Sequence, residues 1–216
     1  LQRLSDSVNE ERKQFVFDAT SAKVVNELLH HNIQVQATKA WSECLQRMES
    51  ARQLDPEVPE NLVAELREYQ REGFRWMRRL AEWGVGGILA DDMGLGKTLQ
   101  ALAVVLDRQH EGPALVIAPT SIGFNWVRET ERFAPDLKPH LYRETDREVF
   151  LASVDSGDLV ICSYGLALRD AEQLSKIQWG TLILDEAQAV KNARSKTATA
   201  IAGFPAKWKL ALTGTP

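Results

Sequence analysis

The sequence predicts an α/β fold: a central, mostly parallel sheet flanked by helices and preceded by a short, mainly helical N-terminal segment. Short apolar runs at Gly87–Ala90, Ala114–Ala118, Leu159–Cys162, Thr181–Leu184 and Lys209–Leu212 alternate with amphipathic stretches and loops, the spacing expected of parallel strands joined by crossovers. Runs such as Leu115–Ala118 and Thr181–Leu184 are apolar at consecutive positions, which suits strands covered on both faces. The first 60 or so residues read differently, and Asp55-Pro56-Glu57-Val58-Pro59 separates them from the rest, because two prolines so close together cannot continue a helix.

In order along the chain, Gln14–Phe17 reads as a short strand. Val24, Val25, Leu28 and Leu29 give Ala22–His31 a helical stripe, and Trp41, Leu45 and Met48 give a second. This makes an extension of residues 1–60, without assigned chemistry, and an α/β lobe of 61–216. A helix is expected to start near Leu66. Within it Arg71, Arg75, Arg78 and Arg79 share one face opposite Phe74, Met77 and Leu80. Glu68 and Glu72 beside them favour a solvated face over a basic track for phosphates. In such sheets, ligands sit beyond the carboxyl ends of the strands.

Composition bounds the rest. The 216 residues suffice for one sizeable domain and an extension. With 44% hydrophobic and 26% charged residues, disordered, collagen-like and disulfide-scaffold classes are excluded. No run has membrane-spanning length and the start lacks a signal-peptide core, so a cytoplasmic setting and no membrane partner are expected. Leu1 in place of Met suggests a piece of a longer chain. Cys44 and Cys162 stand far apart, and His30, His31, His110 and His140 have no metal-ligand spacing, which argues against zinc. The net charge of −4 argues against coating nucleic acid by bulk charge and leaves room for a local track.

The strongest motif is Asp91-Asp92-Met93-Gly94-Leu95-Gly96-Lys97-Thr98, after a strand candidate and before the helical stretch Leu99–Leu106. Glycines let backbone N–H groups turn toward a phosphate, a lysine reaches the β- and γ-phosphates, and a hydroxyl serves Mg²⁺. Asp91 stands where the first glycine of the general pattern would be. At Thr181–Gln188 an apolar run ends in two carboxylates. Asp185 is expected to hold the metal and Glu186 to polarise water; alone the pattern fits a solvated turn, and the phosphate loop upstream decides for the site. Leu212-Thr213-Gly214-Thr215-Pro216 sets two hydroxyls around a glycine after another strand. Gln70, whose amide carries both donor and acceptor, could read an adenine edge.

Together these motifs resemble the first RecA-like lobe of superfamily 2 ATPases, and specifically the SWI/SNF-related DNA translocases. The shared patterns are Leu66–Gly73, Asp91–Thr98, Leu115–Thr120 with Asn125-Trp126, Ser163-Tyr164-Gly165, Asp185–Gln188 with Lys191-Asn192, and Leu212–Pro216. Gln188, where many eukaryotic relatives have His, is closer to bacterial members. The resemblance implies a P-loop NTPase lobe that binds ATP and Mg²⁺. Gln70, Met93, Gly94, Leu95, Gly96, Lys97 and Thr98 would contact nucleotide, with Thr98 and Asp185 on the metal and Lys97, Asp185 and Glu186 catalytic. Gln188, Thr213, Gly214 and Thr215 would couple hydrolysis to movement. Pro119, Thr120, Ser121, Ser163 and Tyr164 would meet the backbone of double-stranded DNA, with Trp126 packed beneath them. A second RecA-like lobe, a protein target on DNA and a nucleoid-associated location are the implied partners and setting. Because family members complete the transition state from the second lobe, this piece alone is expected to turn ATP over hardly at all. A strand-separating DNA or RNA helicase, or a nucleotide-gated protein-binding module, are the alternatives.

Overall fold

The computed structural model describes residues 39–92, 94–143 and 147–214, and the backbone of 9–11 and 14–16. The chain divides into two compact units, Leu1–Leu54 with Arg79–Val85, and Asp55–Arg78 with Gly86–Pro216.

In the smaller unit, β1 (Asn9–Glu11) and β2 (Gln14–Val16) pair antiparallel, Glu10 opposite Phe15. The helix α1 (Lys39–Gln53) buries Cys44 and Ala51, with Trp41, Leu45 and Met48 half-buried on the same face. Its apolar stripe is the one expected. The helix expected over Ala22–His31 lies outside the described residues.

The larger unit is built on a six-stranded sheet. Its strands are β3 (Gly87–Leu89), β4 (Ala114–Ala118), β5 (Lys138–Leu141), β6 (Asp158–Ser163), β7 (Trp179–Leu184) and β8 (Ala206–Leu212). They lie in the order β3-β8-β7-β4-β6-β5, and every neighbouring pair is parallel. Helix α2 (Glu68–Trp83), whose residues through Arg78 belong to this unit, precedes the sheet, and the helices between strands are α3 (Lys97–Asp107), α4 (Gly123–Phe133), α5 (Arg147–Ala152), α6 (Tyr164–Arg169), α7 (Ala171–Leu174) and α8 (Lys196–Ala202). The apolar runs are strands at the expected places. The one addition is β5, whose K-P-H-L sequence hides it: a proline survives only where its missing N–H costs no ladder bond, and β5 is the sheet edge.

Central strands β4 and β7 are buried almost throughout. Leu115 and Ile117 of β4 join Val160, Trp179, Leu182, Ile201 and Phe204 in one core, roofed by α6–α8. Every residue of α3 from Gln100 to Leu106 is buried, the mark of a helix enclosed on all sides. Gly73 permits part of this, since a Cβ there would meet Gln100 Oε1 at 2.0 Å. Phe74 and Met77, fully buried on α2, each contribute about 1.5–3 kcal/mol by leaving water. The arginine face of α2 is committed to the protein itself. Arg71 Nε donates to Leu66 O at 3.0 Å, Arg75 pairs with Glu72 at 2.8 Å, Arg78 pairs with Asp107, and in the smaller unit Arg79 Nε donates to Leu54 O at 2.9 Å.

Candidate nucleotide site

Strand order gathers the site. β3, β8 and β7 are adjacent, with Leu89 opposite Leu212 and Leu184 opposite Ala211, so the segments following all three emerge together at the carboxyl edge. These are the phosphate loop, Thr213-Gly214 and Asp185-Glu186.

The loop turns on left-handed backbone at Gly94 (φ 84°) and Gly96 (φ 72°), a conformation glycine takes without cost. At Gly96 space is tight as well, because a Cβ would meet Gln70 Nε2 at 2.5 Å. Gly96 caps α3 with no side-chain acceptor, leaving the first N–H groups of the helix aimed at the loop. Lys97 Nζ donates to the carbonyls of Asp91 (2.8 Å) and Asp92 (3.0 Å), neutral acceptors that a phosphate would displace. Half-buried Thr98 follows. Met93 lies outside the described residues. Gln70 is buried in the first turn of α2. Its Oε1 accepts from Arg67 N at 2.9 Å and its Nε2 donates to Leu95 O at 3.2 Å, a carbonyl that also accepts from Tyr69 Oη at 3.3 Å. The amide thus braces the loop.

At the end of β7, Asp185 is buried with all its polar atoms engaged. Its N–H donates to Ile117 O (2.8 Å), its carbonyl accepts from Tyr164 Oη (2.8 Å), Oδ1 accepts from Glu186 N (2.9 Å) and Oδ2 accepts from Trp126 Nε1 (2.8 Å). Burial pushes its carboxyl above the ordinary range, against the pull of the Trp126 and Glu186 hydrogen bonds. Burial, then the nearby Asp185 charge, also raises Glu129 on α4. Glu186 has φ 50° and ψ 52°, left-handed backbone without glycine's freedom, a strain typical of functional sites. Its Oε2 accepts from Gln188 Nε2 at 2.5 Å, Gln188 Oε1 accepts from Thr213 Oγ1 at 2.8 Å, and Thr213 N donates to Leu89 O at 3.1 Å. One relay therefore runs from the strand beside the phosphate loop to Glu186. Gly214 follows, and Thr215 lies outside the described residues.

The residues expected to meet nucleic acid follow the next strands across the sheet. Ala118 pairs with Ser163 in register, so Pro119-Thr120-Ser121 and Ser163-Tyr164 leave the sheet side by side. Thr120 and Ser121 are exposed; Ser163 and Tyr164 are half-buried. Tyr164 does more than border that edge, since its hydroxyl reaches the Asp185 carbonyl. Trp126, 1% exposed, likewise has a role beyond packing: its N–H holds the Asp185 carboxylate. A buried indole N–H needs an acceptor, yet the sequence does not say which strand end supplies it.

Thr98 brings a hydroxyl and Asp185 a carboxylate, the oxygen donor types that Mg²⁺ prefers, and the glycine turns with the helix N-terminus form an anion cradle. Among the described residues no His/Cys/Asp/Glu group of three or more forms a metal cluster. Fold and site define a P-loop lobe of the RecA-like kind.

The SNF2-related domain model matches residues 69–216. A putative ATP-dependent helicase/translocase of Bacillus subtilis, YwqA, is 41% identical over 192 residues, which is 85% of this chain and 21% of the relative. The chromatin-remodeling ATPase INO80 of Aspergillus oryzae is 40% identical over 174 residues, covering 73% of this chain and 12% of the relative. The structure of the Sulfolobus solfataricus SWI2/SNF2 ATPase core in complex with dsDNA superposes with TM-score 0.68 at 41% identity, over 74% of this chain and 35% of that one. The chain belongs to the SNF2-related family. It spans about a fifth or less of the length of these curated relatives.

Proposed function

We propose that this chain is the ATP-binding lobe of an ATP-dependent translocase that tracks along double-stranded DNA, with a second RecA-like lobe completing hydrolysis. The observation that carries the reading is the single sheet edge on which phosphate loop, acidic pair and Thr213–Gln188 relay adjoin the strand ends Pro119–Ser121 and Ser163-Tyr164. The family and the dsDNA-bound relative support the choice of duplex DNA.

In this reading Lys97 and the first N–H groups of α3 hold the phosphates, and Gln70 lies close enough to the loop to read adenine. Thr98 and Asp185 would hold Mg²⁺, which when bound neutralises phosphate charge. Glu186 accepts a proton from the attacking water. Gln188 and Thr213 register its position and carry the change toward β8, with Gly214 and Thr215 continuing the segment. Thr120, Ser121 and Ser163 offer hydroxyls to backbone phosphates without reading bases. A nucleoid-associated, cytoplasmic setting and a protein displaced from DNA complete the proposal.

The test is ATP turnover by the full-length protein with duplex DNA, single strands or RNA. Duplex stimulation is expected, and Lys97→Ala is expected to lower turnover about 100-fold or more, in line with loss of a transition-state donor. The isolated 216-residue chain is expected to be nearly inactive. Unwinding of tailed duplexes at rates matching turnover would instead mark a strand-separating helicase. A Lys97→Ala protein that keeps its protein partner and its cellular role would mark a nucleotide-gated module.

A further inference from the structure

Asp185 and Glu186 do not hold their geometry unaided. Glu186 sits in left-handed backbone, a conformation that crowds the Cβ of a non-glycine residue against the following carbonyl. The peptide joining it to Asp185 is fixed by Tyr164 Oη on the Asp185 carbonyl at 2.8 Å. The carboxylate is fixed by Trp126 Nε1 on Oδ2, also at 2.8 Å, and by Glu186 N on Oδ1 at 2.9 Å. Both outside donors come from segments that follow the neighbouring strands: Trp126 from α4, after β4, and Tyr164 from the first residue of α6, immediately after β6. Tyr164 adjoins Ser163, and Ser163 is in register with Ala118, so the strand ends read above as the polymer-facing edge bond directly to the acidic pair.

We infer that Trp126 and Tyr164 are positioning residues that clamp the acidic pair, Trp126 aiming the Asp185 carboxylate at the metal position and Tyr164 holding the Asp185–Glu186 peptide so that Glu186 faces the attacking water. The inference rests on the proposed ATPase reading. It adds a path from the polymer-facing edge to the water-activating residue: displacement of Ser163-Tyr164 alters the hydrogen bond that fixes the peptide, and the strained φ of Glu186 makes that peptide responsive. The clamp differs from the Thr213–Gln188 relay, which reaches Glu186 from the opposite side through its carboxylate.

The full-length protein carrying Trp126→Phe or Tyr164→Phe tests it. Affinity for a fluorescent ATP analogue is measured with Mg²⁺ and with EDTA, and steady-state turnover is measured with and without duplex DNA. Trp126→Phe is expected to cut the Mg²⁺-dependent gain in affinity by about tenfold, the loss of one charge-assisted hydrogen bond, while affinity in EDTA stays within about twofold. Tyr164→Phe is expected to lower kcat about 3- to 10-fold, as for one neutral hydrogen bond, with KM for ATP within about twofold and a smaller DNA stimulation factor. Equal losses in Mg²⁺ and EDTA would reduce Trp126 to packing. A Tyr164→Phe protein with unchanged kcat and DNA stimulation would remove the clamp even if the Trp126 variant fails to fold. If the wild-type protein neither binds the analogue nor hydrolyses ATP, the ATPase reading itself is wrong; if it does both and the variants match it, only the clamp is.

Discussion

The strand ends on the two halves of the sheet solve different problems. Beyond β3, β8 and β7 the backbone is forced: Gly94, Gly96 and Glu186 all have positive φ, and Glu186 is the one non-glycine residue to do so among the described residues. Beyond β4 and β6 it is relaxed. Pro119 has φ −54° before a 3₁₀ turn at Thr120–Ile122, and Ser163 is an ordinary N-cap whose Oγ accepts from Leu166 N at 3.3 Å. Strain therefore lies at Glu186, the residue proposed above to activate water, and is absent at the strand ends proposed to meet the polymer backbone.

Glu186→Gly breaks the comparison most sharply. In the full-length protein it is expected to lower turnover by about 10²–10⁴-fold, as loss of a general base does. The same change should leave the 216-residue chain no less stable in urea melts. Relief of about 1–2 kcal/mol of left-handed strain outweighs the extra freedom glycine gives the unfolded chain, about 0.4–1 kcal/mol. A clear loss of stability would mean that Glu186 is not strained.

A smaller effect separates the two loop glycines. Gly94→Ala meets nothing within 4 Å and suffers only the backbone penalty, whereas Gly96→Ala also drives a Cβ onto Gln70. Both are expected to destabilise by about 1–3 kcal/mol, Gly96→Ala the more, as read from urea midpoints. Equal midpoints would show that Gln70 yields freely and does not brace the loop.

The smallest effect belongs to the relaxed half. Asp170, which closes α6, accepts from Arg147 at 2.5 Å and from Arg169 at 3.2 Å. Burial pushes its carboxyl up, but these hydrogen bonds outweigh it and hold it below the ordinary 3.8. A depressed folded-state value stabilises above the unfolded one and is lost as pH falls through it. Asp170→Asn should therefore lower the melting temperature at neutral pH, by the equivalent of about 1–2 kcal/mol. Variant and wild type should converge well below pH 3.8. Parallel curves across that range would exclude the ion pairs as the source.

Much of this was legible beforehand. The apolar runs located every strand of the larger unit except β5, whose proline and polar residues carry no strand signal. The phosphate loop announced itself because glycine, lysine and threonine at that spacing have few other uses after a strand. Trp126 was visible as a packing residue beneath the expected nucleic-acid edge but not as a partner of Asp185, since nothing local links an indole on α4 to a carboxylate some 59 positions later. Gln70 reads from the sequence as a donor–acceptor amide suited to an adenine edge; that the same amide spans Arg67 N and Leu95 O is a tertiary fact.

Element types, the parallel sheet and the chemistry available at each strand end follow from the order of residues alone, because hydrophobic period and turn residues are local properties. Which ends become neighbours is settled by folding. The order β3-β8-β7-β4-β6 sets Thr213 between the phosphate loop and the acids, and it brings Trp126 and Tyr164 to Asp185 from the other side. That order arises from crossovers and the shared burial of many side chains, a property of the folded whole that no segment carries alone.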